Sequence, residues 1–287
     1  MLWFLYSLLS GFFFATSDVI AKKVKLADEY IIAWSRLFFT IPLIAIMLFF
    51  VTTPKLDTIF WITMLFLLPL EIIAILLYIK AIRTSPLSLT LPFLSLTPVF
   101  LILTSYILLQ EFPTAYGIIG IFLVAMGAYT INLKKINGGF FGPFKAVFRE
   151  KGSLLMVIVA FIFSITANLG KIAILHSNTL FYVVFSTLIL IVILTLLFFR
   201  RLKKKLNLIK SNIKLLSMTG IFYGFMLLFH VLAITLVIVP YMISIKRTSS
   251  LFGVLYGHFW FNEKNFWQRI SGTVIMLIGA AVILLSQ

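Results

Sequence analysis

The sequence contains no cysteine. That excludes a disulfide framework, a thiolate nucleophile and any cysteine-based metal site, and it leaves the redox compartment undetermined. Charge is nearly as scarce: 11% of the 287 residues are Asp, Glu, Lys or Arg, and only 8 are acidic, against about 25% charged in an average soluble chain. His230 and His258 stand alone, with no carboxylate or second histidine at ligand spacing, so no metal site is expected. No glycine-rich loop ending in lysine is present to cradle phosphates, which argues against direct use of ATP. The gaps between apolar runs are too short for a folded domain, so no soluble catalytic or regulatory module is expected.

Apolar residues fill the space that charge leaves. They make up 62% of the chain, and the mean hydropathy is +1.15. The apolar runs repeat at roughly 20 residues each, which at about 1.5 Å per residue spans about 30 Å of hydrocarbon. Lipid is therefore the expected solvent. Apolar runs set against polar punctuation give ten spans: residues 2–21, 30–51, 59–82, 87–109, 115–133, 153–175, 179–199, 213–236, 238–261 and 266–285. The first has no positive charge before it and Lys22, Lys23 and Lys25 after it, the reverse of a secretory signal, so it reads as a retained helix. A net charge of +16 would suggest nucleic acid in a soluble protein. Here the cations sit in short gaps, and no separate basic domain presents them. Nearly all of them follow the odd-numbered spans, including Arg200, Arg201, Lys203, Lys204 and Lys205. Basic loops stay in the cytoplasm, so a multi-pass cell-membrane protein with both termini outside is expected. A basic run can also touch anionic lipid, although topology alone accounts for this one.

The chain also repeats itself. An offset of 152 carries residues 78–133 onto 230–285 without a gap, pairing Ala81 with Ala233, Phe100 with Phe252, Glu111 with Glu263, Gly120 with Gly272 and Gly127 with Gly279. Near the start of each half, an offset of 149 pairs Phe12, Phe14 and Lys22 with Phe161, Phe163 and Lys171. A unit of five helices ends on the face opposite the one where it began, so its copy enters inverted. The expected fold is an all-α integral membrane protein of ten transmembrane helices, built as two five-helix inverted-topology repeats. These are residues 1–133 and 153–287, joined by a basic loop at 134–152.

Four stretches resemble the EamA family of the drug/metabolite transporter superfamily: YIKAIRTSPLSLTLPFLSLTPVFLILTSYILLQE from Tyr78, GIIGIFLVAMGAY from Gly117, KRTSSLFGVLYGHFWFNE from Lys246 and GTVIMLIGA from Gly272. The resemblance covers essentially the whole chain and implies paired five-helix domains and transport. It leaves the substrate open among amino acids, sugars, nucleotide precursors and cations. The Lys246-Arg247 pair also resembles one on the equivalent helix of plastid sugar-phosphate translocators, distant members of the superfamily, where it holds the substrate phosphate.

An ionisable residue at helix depth costs about 2.5–3.5 kcal/mol on insertion scales, so each one is a functional candidate. Glu71 lies at the centre of the third span, Lys246 and Arg247 within the ninth, Arg36 within the second and Asp18 closer to an end of the first. The repeat equivalents of Lys246 and Arg247 are Leu94 and Ser95, so this charge belongs to one half only. Two readings stand: an anion site, with arginine offering a planar fork and lysine a point charge, or internal pairing with Glu71. Glu71 and Asp18 are candidates for coupling to an ion. Tyr78, Tyr223, Tyr106, Tyr241 and Tyr256 are placed by helix position as cavity walls. Glu111 and Glu263 are expected to anchor loops or helix ends, and Lys22 and Lys171 to snorkel at opposite faces. Pro86, Pro92, Pro98 and Pro240 either shape cavity-lining helices or are tolerated kinks.

The function expected is secondary active transport of a small polar metabolite, anionic or zwitterionic, by alternating access. The alternative is a membrane-embedded lipid flippase or lipid-modifying enzyme, although the scattering of the eight acids counts against acid-base or metal chemistry. No catalytic residue, cofactor or nucleic acid is expected. The partners are a small-molecule substrate and the lipid bilayer, and a homodimer is left open.

Overall fold

The computed structural model describes residues 1–24, 28–84, 91–133, 151–261 and 266–286. Lys25, Pro86, Glu263 and residues 134–150 lie outside the described residues, as do the side chains of Lys22, Pro92 and His258. The described residues form helices and no strands. In chain order these are α1 (Leu2–Lys23), α2 (Glu29–Phe38), α3 (Ile41–Leu48), α4 (Thr58–Thr84), a 3-10 segment (Leu91–Leu96), α5 (Thr97–Leu109), α6 (Ala115–Leu133), α7 (Lys151–Leu175), α8 (Thr179–Lys204), α9 (Leu206–Ser211), α10 (Ile213–Ile234), α11 (Val239–Lys246), α12 (Ser249–Phe261) and α13 (Phe266–Leu285).

Among the described residues, six apolar stretches are long enough to cross a membrane: Leu2–Ala21, Tyr30–Leu48, Thr58–Ala81, Lys151–Leu175, Thr179–Lys204 and Ile213–Ile234. Three shorter apolar helices join them, Phe93–Leu109, Ala115–Thr130 and Ser271–Leu285. The span expected at 238–261 is in neither group; its helix is interrupted beside Lys246 and Arg247 and becomes α11 and α12. The span at 30–51 breaks into α2 and α3. In the one at 87–109, the described part is a 3-10 segment at 91–96 leading into α5. A further correction concerns the basic run after the seventh span: α8 continues to Lys204 and α9 follows, so most of that run is helix.

Small residues set the closest contacts, as expected where helices pack without a hydrophobic drive from water. α6 runs antiparallel to α13 with Gly120 against Gly279 and Gly127 against Gly272; a Cβ on Gly127 would stand 2.6 Å from the Gly272 carbonyl oxygen. α1 runs antiparallel to α10, where Ser10 donates to the Met226 carbonyl at 3.1 Å and Ser17 to that of Thr219 at 2.9 Å. Phe13 stacks on Phe222, Phe225 and Phe229 along the same seam. α4 and α5 pack on α7 much as α10 and α12 pack on α1, so each half leans on the other in the same way.

Both ends of the bundle are tied by polar bonds between the halves. At the basic end Asp28 lies 3.4 Å from Lys205 and 3.7 Å from Arg201. At the opposite end Asn178 donates to the Thr52 carbonyl at 2.9 Å. There Lys171 contacts Glu111 at 2.5 Å and donates to the Val237 carbonyl at 2.7 Å, while Val239 N–H donates to the second Glu111 oxygen at 2.8 Å. Glu111 thus anchors a helix start, whereas Lys171 does not snorkel: at 7% exposure it is buried in an ion pair. Tyr241 is also buried here, with its hydroxyl 3.0 Å from Thr114 N, so it braces an interhelical corner. Tyr106 is exposed and edge-on to Phe112.

Asp57, just before α4, accepts from Phe60 N–H at 2.9 Å and sits 2.7 Å from His176 Nδ1. The Phe60 amide, and then His176, hold its carboxyl below the ordinary 3.8. A depressed folded pKa contributes stability that is present above the unfolded value and is lost as pH falls through the folded one. Asp57→Asn is therefore expected to lower the thermal midpoint near neutrality, with the gap to wild type closing toward about pH 3. A gap independent of pH would remove the carboxylate from the account.

Candidate functional site

Three helix breaks converge inside the bundle, and a threonine stands at each. Thr40 donates to the Leu37 carbonyl at 2.6 Å, Thr97 to that of Leu94 at 2.8 Å, and Thr248 to that of Ile245 at 2.7 Å. At the middle break the cause is local. Pro98 has no N–H for the Leu94 carbonyl four residues back, and the Thr97 hydroxyl takes that carbonyl instead. The joints at 96–97 and 248–249 are related by the repeat offset of 152. Glycines let neighbouring helices press on two of the breaks: a Cβ on Gly220 would lie 2.8 Å from Phe39 backbone atoms, and one on Gly11 would lie 2.8 Å from the Lys246 carbonyl oxygen.

Ionisable side chains collect around these breaks. Arg247 donates through Nη2 to Thr97 Oγ1 at 2.8 Å, so the cation of one break bonds to the threonine of another. Lys246 Nζ lies 3.1 Å from His230 Nδ1 and 5.7 Å from the centre of the Phe14 ring. Arg36, one turn before the α2–α3 break, forms an ion pair with Asp18, and its guanidinium lies 6.0 Å from the Tyr223 ring. Glu71, at the middle of α4 two residues after Pro69, lies within electrostatic reach of Thr166 and Lys246. Tyr78 lies within such reach of Asp18, Arg36 and Arg247, and Tyr223 within reach of Glu71, Arg36 and Asp18.

The structure thus gathers Asp18, Arg36, Glu71, Tyr78, Tyr223, Lys246 and Arg247 into one polar region. Tyr106 and Tyr241 are not among them, and the Tyr256 hydroxyl is engaged by Thr16 at 2.8 Å. Direct pairing between Glu71 and the two cations is not observed. Among the described residues no ion pair within 4.0 Å joins them, and Asp18 is already committed to Arg36. Sequence reasoning did not place His230, Thr97 and Thr166 at the site. Two of them carried a signal: His230 is the repeat equivalent of Tyr78, and Thr97 lies two residues beyond that of Arg247.

With carboxylates and basic groups ionised, the region holds three cations against two anions. A guanidinium carries five N–H donors, yet the Arg247 side chain makes a single hydrogen bond among the described residues, and its buried Nε has no partner. Arg36 Nε is likewise unpartnered. A buried donor left unmatched costs about 1–3 kcal/mol. Among the described residues no group of three or more His, Asp or Glu is placed to hold a metal ion. A cleft of about 470 Å³, lined by Tyr30, Leu76, Leu77, Lys80 and Thr84, opens toward the basic end.

A bundle of long apolar helices, broken around a partly buried set of charges, defines a multi-pass membrane protein of transporter type. The chain belongs to the EamA-like transporter family, whose profile matches residues 1–133 and 150–285. One similar solved structure, described only as a crystal structure of a protein, is 14% identical with a TM-score of 0.76, covers 99% of each chain, and shows the likeness of fold alone. No curated protein matches the chain.

Proposed function

We propose that the protein is a secondary active transporter of a small anionic or zwitterionic metabolite, and that the substrate's acidic group occupies the unmatched donors of Arg247 beside Lys246. The observation that carries this reading is the Arg247 guanidinium, held at the crossing of two broken helices with one hydrogen bond and a buried, unpartnered Nε. Arg36, Glu71, Tyr78 and Tyr223 complete the substrate site. Glu71, free of a direct ion pair, is the better coupling candidate, and Asp18 acts through Arg36.

The reading takes the chain as ten crossings in two inverted five-helix repeats, residues 1–133 and 153–287, with 134–152 between them. Reciprocal packing of the halves and two helix breaks at the repeat offset support it. So do the antiparallel glycine contacts, which map onto themselves when the halves are exchanged. Alternating access then follows from one half rocking against the other around the charges. The protein resides in the cell membrane with its basic loops in the cytoplasm and its termini outside, and it works as one chain or as a homodimer.

Thermal stabilisation of the detergent-purified protein tests this, using matched panels of phosphorylated, carboxylate, zwitterionic and cationic solutes. An anion or zwitterion is expected to stabilise wild type. Arg247→Ala is expected to weaken its binding about 30-fold or more, the equivalent of about 2 kcal/mol. Arg247→Lys is expected to fall between, because it keeps the charge and loses the fork. Stabilisation by cationic solutes alone would refute the anion site.

A further inference from the structure

The basic end carries a second feature that the transport site does not use. No acidic residue lies between Glu150 and Glu263, so the cations at the end of α8 find no counterion nearby in sequence. Asp28 serves Arg201 and Lys205, and Arg201 also lies 4.1 Å from the Tyr30 ring. Arg200, Lys203 and Lys204 have no ion pair among the described residues, and with Phe199 they line an open cleft of about 480 Å³. Residues three and four apart share a helix face, so Arg200, Lys203 and Lys204 stand together. The same face continues into the apolar part of α8 through Phe199, Leu196 and Val192, which are 59%, 72% and 57% exposed. Within a bilayer such a stripe meets acyl chains.

Topology requires only that positive charge stay on one side, and Lys205, Lys210 and Lys214 already supply it. It does not require three cations without an ion pair among the described residues, in line with an exposed hydrocarbon stripe at the membrane boundary. A molecule with a phosphate at one end and an acyl chain at the other matches both parts at once.

We propose that this face of α8 binds an anionic phospholipid of the adjacent leaflet, its phosphate held by Arg200, Lys203 and Lys204 and its acyl chain lying against Phe199, Leu196 and Val192. The site is independent of the substrate reading, since it lies at the end of the bundle and holds none of the interior charges.

The test is lipid titration of the detergent-purified full chain with phosphatidylglycerol or phosphatidylcholine, read by native mass spectrometry and thermal shift. Wild type is expected to bind phosphatidylglycerol at least about tenfold more tightly than phosphatidylcholine. Arg200→Gln/Lys203→Gln is expected to bring the two within about twofold, while Lys210→Gln/Lys214→Gln, with the same loss of charge, keeps the preference. Both double variants affect exposed side chains, so folding is retained in each. Equal binding of the two lipids by wild type, or equal loss in both variants, would overturn the site in favour of diffuse charge. Displacement of the lipid by glycerol phosphate at comparable concentration would overturn it in favour of a water-soluble anion.

Discussion

Replacing Glu111 with alanine is expected to destabilise the protein by about 3–5 kcal/mol, the usual cost of leaving a buried charge without its partner. The left-handed turn at Gln110, with φ of 56°, sends the chain back so that Glu111 reaches inward from the end of α5. One carboxylate oxygen meets Lys171 and the other caps the start of α11 at Val239. Without them, the Lys171 ammonium keeps only the Val237 carbonyl, and the first turn of α11 loses its cap. At about 2–4 °C per kcal/mol for a chain of this size, the thermal midpoint falls by about 6–20 °C. The double variant Glu111→Ala/Lys171→Met is expected to recover most of that loss, because the buried charge leaves with its partner. A double variant no more stable than Glu111→Ala would show that the ion pair is not what stabilises this corner.

Gly279→Val is expected to be comparably damaging for a different reason. A Cβ on Gly279 would lie 2.7 Å from Val124 N and 2.8 Å from the Gly120 carbonyl oxygen. Both are backbone atoms of the facing helix, so the strain is relieved only by parting α6 from α13. Overpacking of this kind costs about 1–3 kcal/mol and more where the backbone must move, and the yield of folded protein is expected to drop with it. Gly253 supplies the control, since nothing stands within 4 Å of its Cβ position. Gly253→Ala is expected to be neutral, or stabilising by up to about 1 kcal/mol through helix propensity. Size-exclusion profiles and thermal midpoints of the two variants measure the contrast.

Much of this architecture is written in the chain because lipid penalises exceptions. Hydropathy placed α6 and α13 with the bounds that the structure shows, and the cost of burying charge made Arg36, Glu71, Lys246 and Arg247 stand out one by one. The glycines paired by the repeat were legible as a pattern, although not as antiparallel contacts between α6 and α13. Of the helix breaks only the one at Pro98 left a sign in the sequence. Averaging over a span hides a two-residue interruption, and Pro240 proved to sit in the first turn of α11, where a missing N–H costs little. Lys171 read as a snorkelling residue because its partner, Glu111, is 60 residues away in sequence. Thr166 joined the polar region only through helix packing, which no spacing along the chain encodes.

The most direct test is solute counterflow into proteoliposomes loaded with the solute that best stabilises the purified protein. The account expects saturable uptake of an anion or zwitterion by wild type. It also expects that uptake to be lost in Arg247→Ala while that variant keeps its thermal midpoint within a few degrees and its preference for phosphatidylglycerol. Uptake unchanged in Arg247→Ala, or no solute flux while a labelled phospholipid crosses between leaflets, would contradict a solute pathway through the charges at the helix breaks.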